Sequence, residues 1–553
     1  MLNNVEFVLF YLGFSLLGRS LFLVVPHNKK FNNTEVFGTK LYIFYPVFGV
    51  FFTSALIFIS NFLTPLKSFK PFLTGLLFVL IFINFKNLNF QRNFKFLIIN
   101  YIVMPFILAF SSYGLKFHYD SEAYHLATQS WIFNSKIVFG LSKFYIWLGH
   151  SSLYEYLQAY LNIGGNFIYQ HYLTLLFVTF FVNFLYFHLQ KGTDSPFFYA
   201  SLLITIFGIL DNFGIGGGSN GFIQVQMVGK PDVSVGILFA LISIFSIYGI
   251  YIKKLTRFEF QILFLLFTFS VQIRILSAAL IVLLIPLIYF NWGNFKNFIT
   301  SKFSLFLIFY NLIWLVKNLI ISSCLFFPLK FTCFNNLSWN INQEIYNVSN
   351  LYDSWVYAYQ FNQPLSVFLK NWFNSGHNAT SVTNFLLSLI VLFVLKKSFF
   401  KSNKRFYRIA YISLPIFLII AFYYTAVLRY WYGLIIFIVA VMSFNIEIKE
   451  KYKIFINRNL LVLALITLSV GYPRGYSYKY FFENQNYFEL NISYEDYETK
   501  KNPFGYGVIA QKNKCFDIYY CTTFQHSDNK SISLNKFYLN YQIFEEKTKT
   551  DNP

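Results

Sequence analysis

Apolar runs of about 20 residues recur along this chain, and each is long enough to cross the hydrocarbon core of a lipid bilayer. One of them, VSVGILFALISIFSIYGIYI at 233–252, contains no charged residue. Only 12% of all residues are charged, against roughly 25% in soluble domains. The sequence therefore predicts an all-α polytopic transmembrane protein.

The candidate spans predict a bundle of about 12–14 membrane helices. The run at 5–25 lacks a preceding positive region and a small-residue cleavage site, so we interpret it as a retained helix and not as a signal peptide. Residues 1–472 would form the transmembrane domain, and 473–553 a small external C-terminal cap. The candidate spans are 5–25, 41–62, 71–85, 96–114, 168–190, 196–213, 233–252, 258–274, 275–291, 303–321, 381–396, 408–427, 430–447 and 457–472.

The net charge of +21 lies mainly in short loops between the spans, while the tail is close to neutral. Lys and Arg gather on one side of the alternating topology, and the positive-inside rule makes that side cytoplasmic. Loops 115–167, 214–232 and 322–380 and the tail then share the external face, with Lys67 and Lys70 as exceptions. This distribution indicates membrane topology and not a nucleic-acid-binding surface.

All four cysteines fall in predicted external segments. Spacings of nine and six residues would allow two small disulfide loops in an oxidising compartment. The pairing cannot be deduced from sequence, and scattered free thiols are the alternative. The residues are Cys324, Cys333, Cys515 and Cys521.

The stretch 117–155 is a polar interruption that carries three of the carboxylates of the apolar region, Asp120, Glu122 and Glu155. If 119–134 is helical, it forms an amphipathic helix at the membrane surface. A carboxylate there could act as general base towards an acceptor hydroxyl. For Glu122, a solvated helix cap is the alternative. The apolar side of this helix would comprise Tyr124, Leu126, Ala127, Trp131 and Ile132.

A divalent metal ion is an alternative occupant of the same stretch. Histidine and carboxylate groups are suitable ligands, but their spacing matches no specific metal motif. The four residues are His118, Asp120, Glu122 and His125. No cofactor is otherwise indicated.

Positive charges next to or within the spans are candidates for binding a lipid-linked phosphate. Arg274 is flanked by apolar residues, and an ionisable group in such a position is a functional hypothesis by default. An internal ion pair with Asp232 is the alternative. Arg429 is a second candidate, with an interfacial anchoring role as its alternative, and Lys317 could reach the external surface from its span. In the glycine-rich loop, Lys230 and Asp232 either mark a helix start or face the space beneath 117–155.

At these residues the chain resembles the GT-C class of membrane glycosyltransferases, which includes protein O-mannosyltransferases and aminoarabinose transferases. It is most similar to a bacterial branch with a Tyr-Asp-x-x-x-Tyr-His-Leu signature. The order of matching elements extends over most of the chain. They are Tyr119, Asp120, Tyr124, His125, Leu126, Trp131 and Ile132; Gly149 to Ser152; Lys230 to Asp232; Arg274 to Ser277; Lys317, Asn318, Pro328 and Trp339; Arg429; and Cys515 to Asp517 with Cys521.

Three positions depart from the pattern of that branch. Arg274 replaces a lysine, SSCLFFP replaces a Gly-Tyr-Pro element, and Phe516 replaces a tryptophan. The first change keeps the positive charge. The other two alter local geometry.

The resemblance implies a polyprenyl-phosphate-sugar donor and a glycan, lipid or protein acceptor at the periplasmic face of a bacterial inner membrane. Asp120 would take the acceptor proton, with Glu122 and His125 as supporting residues. Arg274 and Lys230 would stabilise the departing phosphate. Transfer would invert the anomeric configuration. The remaining substrate-binding candidates are Tyr119, Tyr124, Asp232, Lys317 and Arg429.

Two other functions remain open from the sequence. A polysaccharide polymerase or ligase acting on lipid-diphosphate-linked glycans would need essential arginines but no catalytic carboxylate. A transporter or flippase would be expected to show internal repeats and broken helices, and the sequence contains no repeat of fixed period.

Overall fold

The computed structural model is mainly helical. It describes residues 2–24, 34–86, 94–112, 115–117, 120–150, 152–162, 167–213, 227–229, 231–251 and 253–341, together with short pieces beyond 341. Its α-helices are Leu2–Val24, Tyr45–Asn61, Leu66–Lys86, Phe94–Ile98, Met104–Leu108, Leu126–Asn134, Leu141–Phe144, Leu153–Leu161, Ile168–Lys191, Phe198–Phe213, Asp232–Tyr251, Arg257–Ile273, Ile281–Phe290, Trp292–Ile299 and Lys302–Ser322.

Shorter helical turns join or extend these helices. Two are π-helical, Ile99–Val103 and Ser121–His125. The 3₁₀ turns are Leu41–Phe44, Ala109–Ser112, Ile146–His150, Gly192–Asp194, Ile275–Leu280 and Lys330–Thr332.

Every candidate span before residue 322 coincides with an observed helix or a run of consecutive helical turns. Within the described part of the chain, five helices are long and apolar enough to cross a membrane, or six if a pair bent by 106° is counted as one span. The five are Leu41–Asn61, Leu66–Phe85, Ile168–Asp194, Asp232–Ile250 and Lys302–Ser322; the bent pair is Ile275–Phe290 with Trp292–Ile299.

The described strands are short, and they form small sheets of two or three strands. Glu35–Val36 pairs with Thr39–Lys40, and Lys116–Phe117 runs parallel to Met227–Val228. Beyond residue 341 the structure describes the pairs Lys396–Ser398 with Glu447–Ile448 and Ile532–Tyr538 with Tyr541–Glu546, and a sheet of Lys500–Lys501, Val508–Ile509 and Cys521–Thr522. The rest of the predicted spans after 381, most of loop 342–380 and most of the predicted cap lie outside the described residues.

Local capping signals in the sequence start several helices. Arg257–Ile273 begins with a capping box in which Thr256 and Glu259 bond each other's backbone N–H groups, which satisfies donors that a helix start leaves unpaired. Ser301 accepts from the backbone of Ser304 at the start of Lys302–Ser322. The predicted start signal at Pro231 and Asp232 is followed by a helix that begins at Asp232.

The helices Leu2–Val24 and Tyr45–Asn61 approach each other closely at two glycines. A Cβ atom built on Gly18 would meet the Tyr45 carbonyl, and one built on Gly49 would meet the Phe14 carbonyl. Small residues at helix interfaces allow backbones to come this near. The pair is therefore held by backbone-level packing at one fixed register.

Residues 120–150 and 152–162 form a layer of short helices over one end of the bundle, which we call the loop layer. Asn61 donates to the carbonyls of Ile132 and Ser135, at 3.2 and 2.9 Å. Lys70 donates to the Asn162 carbonyl at 2.9 Å, which gives this lysine a specific anchor despite its exceptional place in the predicted topology. The loop layer is thus hydrogen-bonded to the end of the Tyr45–Asn61 helix and to the first turns of the Leu66–Lys86 helix.

At the opposite end of the bundle, the buried side chain of His188 links the first strand pair to the turn that follows its own helix. Thr39 Oγ1 and His188 Nε2 lie 2.8 Å apart, and His188 Nδ1 and Ser195 Oγ lie 2.6 Å apart. The backbone N–H of Phe37 donates to Glu259 at 3.0 Å. These bonds connect the first strand pair to helices more than a hundred residues later.

Candidate functional site

The structure brings together parts of the two stretches that the sequence singled out, 117–155 and the glycine-rich loop 214–232. Their strands pair in parallel with Lys116 opposite Met227 and Phe117 opposite Val228. The Ser121 hydroxyl, fully buried, donates to the Val228 carbonyl at 2.6 Å. This contact brings the start of the Asp232–Tyr251 helix beside the turn that follows Asp120.

Gly229 fits the narrow space beside Ser121, and we expect alanine there to destabilise the protein by about 1–3 kcal/mol. Gly229 has a φ of +84°, and an added Cβ would lie 2.5 Å from Ser121 Oγ. Apparent melting temperatures in detergent would measure the effect. Gly293→Ala is the matched control, because an added Cβ there meets nothing within 4 Å. Equal melting temperatures for the two variants would contradict this prediction.

Arg274 binds Asp232, the alternative that the sequence left open. The Arg257–Ile273 helix ends just before Arg274, whose extended backbone (φ −150°, ψ 120°) turns the chain into the next helical segment. Arg274 Nη1 donates to Asp232 Oδ1. The Arg274 side chain is 28% exposed and that of Asp232 is 9% exposed. The guanidinium is thus held at the helix break beside the loop layer.

His125 and Glu155 form a buried pair within the loop layer. The Nδ1 atom of His125 lies 2.5 Å from Glu155 Oε1, and the two side chains are 9% and 2% exposed. The other carboxylate oxygen accepts the Ser152 backbone N–H at 3.0 Å, completing a capping box at the start of the Leu153–Leu161 helix. Glu155 therefore both starts a helix and orients the imidazole.

Lys317 is fully buried, whereas the sequence suggested that it could reach the external surface. Its ammonium lies 5.8–6.0 Å from the ring centroids of Phe58, Tyr156 and Trp314. The Glu155 carboxylate is close enough to interact electrostatically with it. Lys317 points inward because it lies on the side of its helix that packs against Tyr45–Asn61 and the loop layer. Its charge can therefore stabilise the Glu155 carboxylate, and its side chain does not contact solvent.

Asp120 and His150 are half-buried, and both are more exposed than the buried side chains of His125, Glu155 and Lys317. Asp120 precedes the π-turn Ser121–His125, and its side chain makes no capping hydrogen bond to that turn. Burial lowers the pKa of His150 to about 3, and the positive charges of Arg274 and His125 act in the same direction, while Asp120 opposes them. Asp120, His125 and Arg274 are therefore all close enough to His150 to act on it electrostatically.

A disulfide closes a small loop in the segment that follows Lys302–Ser322, and this loop packs against the loop layer. Cys324 and Cys333 are joined with an S–S distance of 2.07 Å. Cys324 and Phe327 pack with Ile146 and Ile341 in a small apolar cluster. The side chains of the other two cysteines, Cys515 and Cys521, lie outside the described residues.

Several predicted site residues also lie outside the described part of the chain: His118, Tyr119, Lys230, Arg429 and the side chain of Glu122. Within the described part, no group of three or more His, Cys, Asp or Glu side chains is arranged to hold a metal ion.

Two residues that the sequence analysis did not assign to the site, Glu155 and Ser121, have central positions in it. A local signal existed for Glu155, since Ser152-x-x-Glu155 before an apolar run is the pattern of a capping box. Ser121 has no comparable signal, because its partner, the Val228 carbonyl, lies 107 residues further along the chain.

Residues 28–437 match the family model described as Domain of unknown function (DUF8201). No curated protein and no solved structure matches the chain. The family match begins before the second long helix, includes the whole loop layer, and continues past Arg274 and Lys317. Since it spans well over half of the sequence, the chain belongs to the DUF8201 family.

Proposed function

We propose that this protein is a polytopic membrane glycosyltransferase of the GT-C type, with its site at the loop-layer end of the helical bundle. Five helices of sufficient length and hydropathy support a membrane protein. The positive-inside pattern of the sequence supports an external position for the loop layer, which would be the periplasm if the protein resides in a bacterial inner membrane. The donor would be a polyprenyl-phosphate-linked sugar and the acceptor a cell-envelope glycan, lipid or protein.

The observation that carries the proposal is the set of opposite charges beside the loop layer. Asp120 is half-buried and the Arg274 side chain is 28% exposed, and both act electrostatically on His150. A carboxylate for the acceptor and a cation for a phosphate are the two groups that transfer from a phosphate-linked donor needs. The apolar helices of the bundle would hold the polyprenyl chain of the donor.

In the proposed reaction, the acceptor hydroxyl attacks the anomeric carbon of the donor sugar as the bond from that carbon to the phosphate oxygen breaks. Asp120 takes the hydroxyl proton, and the polyprenyl phosphate leaves with the bonding electrons. A guanidinium carries five N–H donors in a planar fork, so Arg274 could bind a phosphate oxygen while Asp232 fixes its orientation. Lys230 would add a second positive charge.

Asp120→Asn is expected to lower the transfer rate about 10²–10⁴-fold, the usual contribution of a general base. The assay would follow a radiolabelled sugar from a short-chain polyprenyl phosphate to acceptor in proteoliposomes. Asp194→Asn is the matched control, because Asp194 is an exposed aspartate at the opposite end of the bundle. We expect the control to retain full activity.

Full activity in Asp120→Asn would remove Asp120 as the base. Loss of activity on replacing Arg274, with Asp120 dispensable, would instead favour a ligase acting on lipid-diphosphate-linked glycans.

A further inference from the structure

Three partly buried aromatic rings of the loop layer pack against one another, two pairs of them stacked. The ring centroids of Tyr124 and Trp147 are 5.9 Å apart, those of Trp147 and His150 are 5.7 Å apart, and those of Tyr124 and His150 are 6.4 Å apart. The planes in these pairs differ by 25°, 13° and 37°. All three side chains are half-buried. We call this set the ring cluster.

The ring cluster is held from two sides. The Phe327 ring packs edge-on against His150, with centroids 4.9 Å apart, and Phe327 lies in the loop that the Cys324–Cys333 disulfide closes. On the other side, Tyr124 lies against His125, with centroids 4.2 Å apart. The rings are therefore fixed in place before any ligand binds.

His150 contributes an uncharged ring to this cluster. With a pKa of about 3, lowered by burial and by the nearby charges of Arg274 and His125, its imidazole is neutral at physiological pH. A neutral imidazole carries no charge that contact with an apolar group would strip of water, so His150 resembles Tyr124 and Trp147 in the kind of surface that it offers. Asp120 and Arg274 supply full charges next to them.

We propose that Tyr124, Trp147 and His150 form a stacking site for a pyranose ring, with the adjacent Asp120 and Arg274 as partners for its polar groups. A pyranose has an apolar C–H face and a rim of hydroxyls. Fixed aromatic faces beside a few charged groups are the usual lining of a small-ligand site. The inference rests on the proposed function for its choice of ligand, and the ring could belong to the donor or to the acceptor.

The test is direct binding, which needs no turnover. The protein in lipid nanodiscs would be examined by saturation-transfer difference NMR with two kinds of probe. One is a panel of methyl pyranosides, standing for an acceptor glycan, and the other a short-chain polyprenyl-phosphate sugar, standing for the donor. Signal transfer to the ring C–H protons of one probe, in preference to its aglycone or lipid protons, is the expected result and identifies the source of the sugar.

Trp147→Ala is expected to raise the Kd of the binding probe about tenfold, as for the loss of one aromatic partner. Trp147→Phe should retain most of the affinity. Trp292→Ala is the matched control, because Trp292 is 61% exposed in a helix outside the loop layer. If Trp147→Ala fails to fold, Tyr124→Leu provides the same comparison.

Unchanged affinity in the ring variants, or no signal from either probe, would overturn the stacking site. Sugar binding that depends on Trp147 in a protein that transfers no sugar would keep the site and overturn the transferase proposal. Sugar transfer that is unaffected by replacing any of the three rings would keep the transferase proposal and overturn the stacking site.

Discussion

Replacing Glu155 with alanine is expected to lower the free energy of unfolding by about 3–5 kcal/mol, the range for removing one partner of a buried pair. The Glu155 carboxylate accepts from His125 and from the Ser152 backbone, and its charge acts on the buried Lys317. Alanine removes all three interactions from a site that is 2% exposed. The loss would be measured as a lower melting temperature in detergent. The fraction of protein that still elutes as a monodisperse peak after heating would be a second measure.

A double-mutant cycle would separate charge from shape. Glu155→Gln keeps the volume and one acceptor oxygen, so we expect a smaller loss than with alanine. Lys317→Met should be damaging alone but less so in the Glu155→Gln background, because the two buried charges would then be removed together. Additivity within about 0.5 kcal/mol would show that they are not coupled. Wild-type stability in Glu155→Ala would contradict the structural role given to this residue.

Gly49→Val is expected to have the second largest effect and to prevent the first two long helices from packing in their native register. A Cβ at Gly49 would meet the Phe14 carbonyl, and one at the opposing Gly18 would meet the Tyr45 carbonyl. These obstacles are backbone atoms, which cannot rotate away as a side chain can. We therefore expect a loss above the usual range of about 1–3 kcal/mol for over-packed sites.

The measurement for Gly49→Val is the yield of monodisperse protein together with its melting temperature. Gly75→Val is the matched control, since a Cβ at Gly75 in the Leu66–Lys86 helix meets nothing within 4 Å. We expect the control to behave like the wild type. Similar losses in both variants would mean that a general effect of valine, and not the close approach of two backbones, is responsible.

The positions of the long helices could be predicted well from the sequence. The span predicted at 303–321 is the helix Lys302–Ser322, and that predicted at 233–252 is Asp232–Tyr251. Both signals are local, namely an apolar run of fixed length and a capping residue at its start. The span predicted at 96–114 is instead divided into α, π and 3₁₀ turns, which hydropathy cannot reveal because all three conformations present similar apolar surfaces.

The candidate site was only partly predictable. Asp120 and His125 were singled out because polar residues are scarce in an apolar chain. The partner of His125 is 30 residues away and that of Arg274 is 42 residues away. No local pattern encodes such a pairing, although Asp232 was one of the options considered for Arg274.

The sequence by itself determined that the described chain is mainly helical, where its long helices begin and end, and which polar residues interrupt them. These properties follow from hydropathy, helix length and capping, each of which acts over a few residues. Only the tertiary structure decided that Lys317 is enclosed by three aromatic rings, that Glu155 holds His125, and that Arg274 is held by Asp232. These contacts depend on how helices distant in sequence pack together, and many residues jointly set that packing.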